Sequence, residues 1–238
     1  RYRGRFAPPP VSYGTVRDLA DSRDALGGLA AASFDMKNLQ RCWALKAVVG
    51  NVEPGGRVVE IGAGEPLVAG VLARIGYEVV VVDPYDGSGN GPREYRAFRA
   101  AYPELEFIRE GFPPRAGLDG PLAAVYSVSV LEHVPTDSIE SVVSAARELV
   151  EPSGGCCIHA IDHVLRGWGD AEHAERLRRA VSASGIDDGL LDDALAALDR
   201  DPEAYFVSAE AHERWRGSLP YDHYPMRRIA SVNLFGRA

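Results

Sequence analysis

Sulfur is scarce in this sequence: three cysteines and two methionines in 238 residues. Cys42, Cys156 and Cys157 make neither a disulfide framework nor a zinc-ligand spacing. The adjacent pair sits in an apolar run that reads as a strand, where neighbours point to opposite faces, so buried free thiols are expected. Long apolar runs are missing as well, and none approaches the roughly 20 residues that cross a bilayer. The start, Arg1-Tyr2-Arg3-Gly4-Arg5 and then Pro8-Pro9-Pro10, has no apolar signal core. It has no initiator Met either, so the expectation is a cytoplasmic chain that begins inside a longer or processed product. Positive charge is in deficit, with 26 Lys and Arg against 34 Asp and Glu, a formal charge of −8. That disfavours a broad phosphate-binding face, and nucleic acid is not an expected partner. Arg176, Arg178, Arg179, Arg214, Arg216, Arg227 and Arg228 do gather in the last third. They read as a solvated helix face with structural ion pairs.

The first fifty residues read as an extended Pro-rich lead-in and two helices. The second, about Asp35 to Val49, puts Leu39, Cys42, Trp43 and Val49 near one face, and Gly50 suits its end. From Gly56 the pattern becomes strand, turn, helix, repeated. Strands are expected at Arg57–Ile61, Glu78–Asp83, Leu105–Arg109, Leu122–Val128 and Cys156–Ile161. The unbroken valines from Val79 to Val82 suit a strand buried on both faces of a parallel sheet. A helix follows at Pro66–Ile75 and another ends near Tyr102. In the one after the fourth strand, Ile139, Val142, Val143, Ala146, Leu149 and Val150 repeat at helical spacing, with Asp137 and Glu140 as an expected capping box. Two amphipathic helices fill the stretch from Val164 to Asp201, and Ile229–Phe235 reads as a last strand. The strand expected just before that one has no clear place. Alternating strands and helices predict a doubly wound, mostly parallel α/β sheet.

The most informative stretch is Glu60-Ile61-Gly62-Ala63-Gly64-Glu65-Pro66, where a strand turns into a helix. Glycines at 62 and 64 permit a tight turn and close ligand approach, although two glycines alone can be only a turn. A dinucleotide site wants a third glycine for helix packing near the pyrophosphate, and Leu67 stands there instead. Acids flank the turn at Glu60 and Glu65. They would repel a pyrophosphate but suit a ligand carrying an ammonium and a sulfonium. Asp83 ends the next strand, 23 residues after Glu60, where an acid accepts hydrogen bonds from ribose hydroxyls. Glu110-Gly111 follows the third strand, where a carboxylate can receive an adenine amino group.

These residues, with Ser129-Val130-Leu131-Glu132-His133-Val134 after the fourth strand, resemble the ordered motifs of class I S-adenosylmethionine-dependent methyltransferases. The match covers about Gly56 to Ile161. The resemblance implies a seven-stranded sheet whose final strand is antiparallel, and S-adenosylmethionine as cofactor over the C-terminal strand ends. It puts Glu60 near the methionine ammonium, the Gly62–Gly64 turn beneath it, Asp83 on the ribose, Glu110 and Gly111 at the adenine edge, and the Val128 backbone on the amino-acid portion. The chain is expected to divide into an N-terminal helical extension or cap (1–52), the cofactor-binding core (53–163), a helical insertion serving as lid or oligomer contact (164–202), and the end of the core sheet (203–238). The Asn-Pro-Pro-Tyr motif of many DNA and protein-amide methylases is replaced by Ser127-Val128-Ser129-Val130.

Methyl transfer to a hydroxyl is helped by a base of near-neutral pKa. His133 after the fourth strand, and His159 or His163 at the end of the fifth, are the candidates, with His133 and His163 taken forward. Each has an equally ordinary reading as a packed histidine. Some relatives bind a divalent ion through Glu-x-x-Glu-His, but Ser129 stands where the first Glu would be, so no metal site is expected. Tyr13, Arg41, Trp43, Trp168, Trp215 and Tyr221 are available to line an acceptor pocket. The expected partner is a small-molecule acceptor such as a natural product or sugar, methylated at oxygen or nitrogen, with a homodimer left open. A peptide or RNA acceptor, and a cofactor-binding scaffold without turnover, are the alternatives.

Overall fold

A computed structural model describes residues 1–30, 36–115, 117–207 and 228–238. Seven strands form one sheet: β1 (Val11–Tyr13), β2 (Arg57–Ile61), β3 (Glu78–Val82), β4 (Glu106–Ile108), β5 (Ala124–Val128), β6 (Cys156–Arg166) and β7 (Arg228–Arg237). Their spatial order is β1-β7-β6-β5-β2-β3-β4. β2 to β6 are parallel, and β7 runs antiparallel beside β6. This is the seven-stranded α/β sheet with an antiparallel final strand that the resemblance implies. From β2 the chain winds outward through β3 and β4, then returns to add β5 and β6 on the other side. The crevice of such a sheet opens where the winding reverses, above the C-terminal ends of β2 and β5.

Helices cover both faces: α1 (Val16–Ala25), α2 (Met36–Asn51), α3 (Leu67–Arg74), α4 (Tyr95–Ala101), α5 (Ile139–Val150), α6 (Asp170–Ala183) and α7 (Asp188–Arg200). Alternation along the strands divides the core. Val58, Val79, Val81, Tyr126 and Ile158 pack under α2 and α3, whereas Val59, Val80, Val82, Val125 and Cys157 pack under α5. All three cysteines are free and buried. No helix among the described residues is long and apolar enough to cross a membrane.

Several local expectations change. The strand with no clear place in the sequence is supplied from the other end of the chain. Val11–Tyr13 pairs with Val232–Leu234 and becomes the edge beside β7. Isolated bridges Thr15↔Ala204 and Phe206↔Ala230 extend that side. β6 runs five residues past Ile161 because β7 pairs with it nearly throughout. α2 continues through Gly50, which is needed for close approach rather than for termination, since a Cβ there would collide with the Phe6 carbonyl. The capping box expected from Asp137 and Glu140 does not form. Ser138 is the N-cap, which puts Glu140 one position too early to reach back, and its carboxylate meets Arg179 at 3.3 Å. A capping box does form on α1, between Thr15 and Asp18.

The arginines of α6 follow the bland reading: Arg176 pairs with Glu172, Arg178 with Asp192, and Arg179 with Glu175. Arg228 pairs with Asp199. Arg214, Arg216, Arg227, Trp215 and Tyr221 lie outside the described residues.

Candidate active site

The cleft is built on the glycine turn after β2. Gly62 and Gly64 have φ of +60° and +56°, left-handed values that cost a side chain dearly. A Cβ on Gly62 would also come within 2.8 Å of the Val130 side chain. The turn therefore presents bare backbone to a cavity of about 560 Å³. Asp83, at the tip of β3, braces it: Oδ2 accepts from Gly64 N at 3.0 Å and Oδ1 from Tyr85 N at 2.8 Å. The buried Tyr85 hydroxyl donates to the Gly64 carbonyl at 3.0 Å. Tyr95, Phe98 and Phe107 pack around the Tyr85 ring at centroid distances of 5.7–6.3 Å. Sequence analysis did not single out Tyr85, which falls in the connection between β3 and α4. Its φ of +49° marks the sharp bend that turns the chain back over the site.

Glu60 is 3% exposed and lines the cavity. Its Oε2 accepts from the Tyr126 hydroxyl at 3.0 Å and from Ala69 N at 3.2 Å. Burial outweighs those bonds and pushes its pKa up to about 7. Asp83 is likewise raised by burial, partly offset by its two amide donors. Gly111 and Val128 line the same cavity. Glu110 does not. It borders an adjoining hollow with Phe112, Pro113 and Arg115, and its Oε2 accepts from Arg115 N at 2.7 Å.

Past Val128 the cavity reaches Ser129, Val130 and His133, then Val134, Pro135, Ser138 and Val142. Ser129 is a second non-glycine residue in the left-handed region, at φ +51°. It is held there by long-range bonds. Ser129 N donates to Ala160 O at 2.9 Å, and its hydroxyl lies 2.7 Å from Gln40 Oε1 and 3.0 Å from Asp162 Oδ1. Gln40 Nε2 donates to the same Asp162 oxygen at 2.8 Å. α2 is thus pinned over the β5 and β6 tips, and it brings Lys37 and Arg41 into the cavity wall. The loop after β3 closes the other side, and a Cβ on Gly89 would lie 3.3 Å from His133 Cβ.

A family model described as a methyltransferase domain matches residues 34–233, most of the chain. The chain belongs to the class I S-adenosylmethionine-dependent methyltransferases. No curated protein matches it by sequence. Solved structures share the methyltransferase fold at low identity. A geranyl diphosphate methyltransferase in complex with S-adenosylmethionine is 16% identical at TM-score 0.52, over 95% of this chain and 97% of that one. The cyclopropane synthase MmaA2 from Mycobacterium tuberculosis is 12% identical at TM-score 0.52, over 86% and 87%. Phosphoethanolamine N-methyltransferase 2 from Haemonchus contortus is 16% identical at TM-score 0.46 over 84% of this chain, which spans 52% of that enzyme's length.

The methyltransferase's own residues fit its cofactor. The side-chain-free turn leaves backbone open to close approach, and the buried acids of β2 and β3 suit an ammonium and a pair of hydroxyls. Four acids, Glu60, Glu65, Asp83 and Asp86, line the cavity, a poor surface for a pyrophosphate.

Of the two histidines taken forward, the methyltransferase brings one to the cleft. His133 lines it, with a side chain 41% exposed and Nε2 4.0 Å from Glu132 Oε1. His163 is 3% exposed and is not among the residues lining the cavity. With His159 it points to the opposite face of β6 from Asp162, as strand alternation requires. His159 is 1% exposed, its Nδ1 lies 2.9 Å from Ser127 Oγ, and burial lowers both histidines to about 4. Such a histidine stays neutral in the fold while the unfolded chain takes up a proton, so its contribution is full above pH 6.5 and is lost toward pH 4. His163→Gln should therefore reduce the acid-induced loss of stability between pH 6.5 and 4 by roughly 3 kcal/mol relative to the parent. Urea unfolding across that range measures it, and an unchanged difference would refute the assignment. Tyr13 bonds Asp201 at 2.9 Å and Trp43 is in the core, so of the acceptor-pocket candidates Arg41 alone lines the cavity among the described residues.

Proposed function

We propose that this methyltransferase moves the methyl group of S-adenosylmethionine to an oxygen or nitrogen of a small-molecule acceptor, in the cytosol. The observation that best supports this is continuity: one cavity runs from the acids at the β2 and β3 tips, past Val128, to His133. Its volume of about 560 Å³ is that of a small-molecule site rather than of an extended polymer groove.

In this reading Glu60 takes the ammonium of the cofactor's amino-acid portion, with Arg41 opposite its carboxylate. The Gly62–Gly64 and Val128 backbone lies alongside. Asp83 keeps a lone pair on each oxygen for the ribose hydroxyls, and Gly111 borders the adenine edge. When bound, the cofactor supplies a methyl group on a positively charged sulfur, open to in-line displacement. The chain's part is to hold the acceptor atom in line and exclude water. A hydroxyl acceptor loses its proton as its oxygen attacks, and His133 takes it. Burial lowers the His133 imidazole below the ordinary histidine value, which leaves it neutral at pH 7 and ready to accept. Because Nε2 faces Glu132, Nδ1 is the nitrogen assigned to the proton.

Calorimetry tests the cofactor site. S-adenosylmethionine should bind and NAD should not. Asp83→Ala should weaken the former by about 1–3 kcal/mol, the range for losing a buried hydrogen-bonding group. Unchanged affinity would remove Asp83 from the ribose, and no binding by the parent chain would remove the reading altogether.

A further inference from the structure

Gln40 is the only glutamine in the chain, and it is fully buried. It does not line the cleft, yet its amide ties three elements together. Oε1 accepts from the Ser129 hydroxyl just past β5, and Nε2 donates to Asp162 Oδ1 in β6. The amide cannot be reversed, because Oε1 would then face the Asp162 carboxylate with no proton between them. The Ser129 hydroxyl carries one proton, and both oxygens that it reaches belong to this cluster. The cluster is closed on itself, and what it holds is the position of α2.

The apolar side of α2, packed on β5 and β6, does not fix how the helix slides or rolls, since such contacts are non-directional. Directed bonds at 2.7 and 2.8 Å do. The next residue, Arg41, stands about 100° round the helix and lines the cleft. No hydrogen bond or ion pair holds its guanidinium among the described residues. Its place therefore depends on where the helix sets its stem. Arg41 is among the groups that oppose the rise of the Glu60 pKa, which puts it on the cofactor side.

We infer that Gln40 is a positioning residue for cofactor binding: by locking α2 to Ser129 and Asp162 it holds Arg41 at the Glu60 end of the cleft, opposite the cofactor's carboxylate. This rests on the role of Arg41 given above and adds the residue that places it. A guanidinium set in advance loses less freedom when it pairs with a carboxylate, and the pair keeps its geometry. Linkage is reciprocal, so the bound cofactor must in turn tighten the Gln40 bonds.

Calorimetry of S-adenosylhomocysteine, the demethylated cofactor, on the full chain tests this. Gln40→Met keeps the side-chain length and removes both bonds, and affinity should fall about tenfold. Arg41→Met should lower it at least as much, and the double variant should be no weaker than Arg41→Met alone. The pH at which affinity rises as Glu60 ionises should move upward in Gln40→Met. Tyr126 from β5, the Ala69 amide from α3 and Asp83 from β3 act on Glu60 in both proteins, so the shift reports Arg41. Parent affinity in Gln40→Met, an unmoved pH midpoint, or full additivity of the two losses overturns the inference. Should Gln40→Met not fold, 15N labelling of glutamine leaves one side-chain amide to follow in the parent. S-adenosylhomocysteine should slow its hydrogen exchange, and should slow it less in Arg41→Met. Unchanged exchange, or equal slowing in both, also overturns it. Parent affinity in Arg41→Met removes Arg41 from the carboxylate and this inference with it. No binding by the parent is a separate result, which defeats the cofactor reading itself.

Discussion

His133→Ala should cut turnover of a hydroxyl acceptor by about 10²–10⁴-fold, the usual contribution of a positioned general base. That is about 3–5.5 kcal/mol of transition-state stabilisation. Cofactor affinity should hardly change, because the imidazole stands beyond Val128 and Ser129 from the glycine turn and its side chain is 41% exposed. The loss should fall on kcat rather than KM, since a base acts in the transition state. The parent's kcat should rise with pH through a value below the ordinary histidine pKa, as burial demands, and the variant should lose that limb. Steady-state kinetics over pH 5–8 decides it. A variant within about threefold of the parent on a hydroxyl acceptor would restrict His133 to packing or to shaping the cleft.

Glu60→Gln should make the protein more stable and a worse binder of its cofactor. The Glu60 carboxyl is near 4.5 in the unfolded chain and about 7 in the fold, so the fold prefers it protonated. The sign follows from linkage. Above pH 7 the ionised group costs the fold on the order of 3 kcal/mol, and the cost fades as pH falls toward 4.5. Glutamine keeps an acceptor for the Tyr126 hydroxyl and Ala69 N while carrying no charge. The gain should therefore be largest near pH 8, by roughly 3 kcal/mol, and vanish near pH 4.5. The same exchange removes the partner of the cofactor's ammonium, and affinity should fall by about 1.5–3 kcal/mol, tenfold or more. In the parent, affinity should rise with pH through about 7 as Glu60 ionises. The ligand's own amine, near 8 in solution, reverses that trend above about pH 8. A flat parent profile, or a variant no more stable than the parent at pH 8, would show that Glu60 is not a strained buried acid.

Such strain is common where binding needs a group that the fold would rather not bury. Here it is shared among four buried groups: Glu60 near the end of β2, Glu132 just past β5, and His159 and His163 within β6. The acids favour the fold at low pH and the histidines at neutral pH, so parent stability alone conceals both, and single substitutions expose each.

Local signals made the centre of the sheet readable. Val79–Val82 can only be a strand covered on both sides. A glycine turn between Ile61 and Leu67 dictates where backbone lies bare. Strand ends then place Glu60, Asp83 and Gly111 along one edge, because parallel strands of similar length finish together. The placement of Glu110 shows the limit of that logic: one residue past a strand, a side chain is free to turn to its own loop, as it does toward Arg115 N.

Sequence alone therefore determined the parallel core, the acid-flanked turn and the chemistry that turn admits, since each depends on residues within a few positions of one another. Tertiary structure decided the rest. Val11–Tyr13 became an edge strand only because β7 offered unpaired backbone more than two hundred residues away. Gln40, Ser129 and Asp162 met only because α2 crosses the sheet tips, across separations of 89 and 122 residues. That crossing carried Lys37 and Arg41 into the cleft. Contacts of such span follow from how whole layers pack and leave no mark in local pattern.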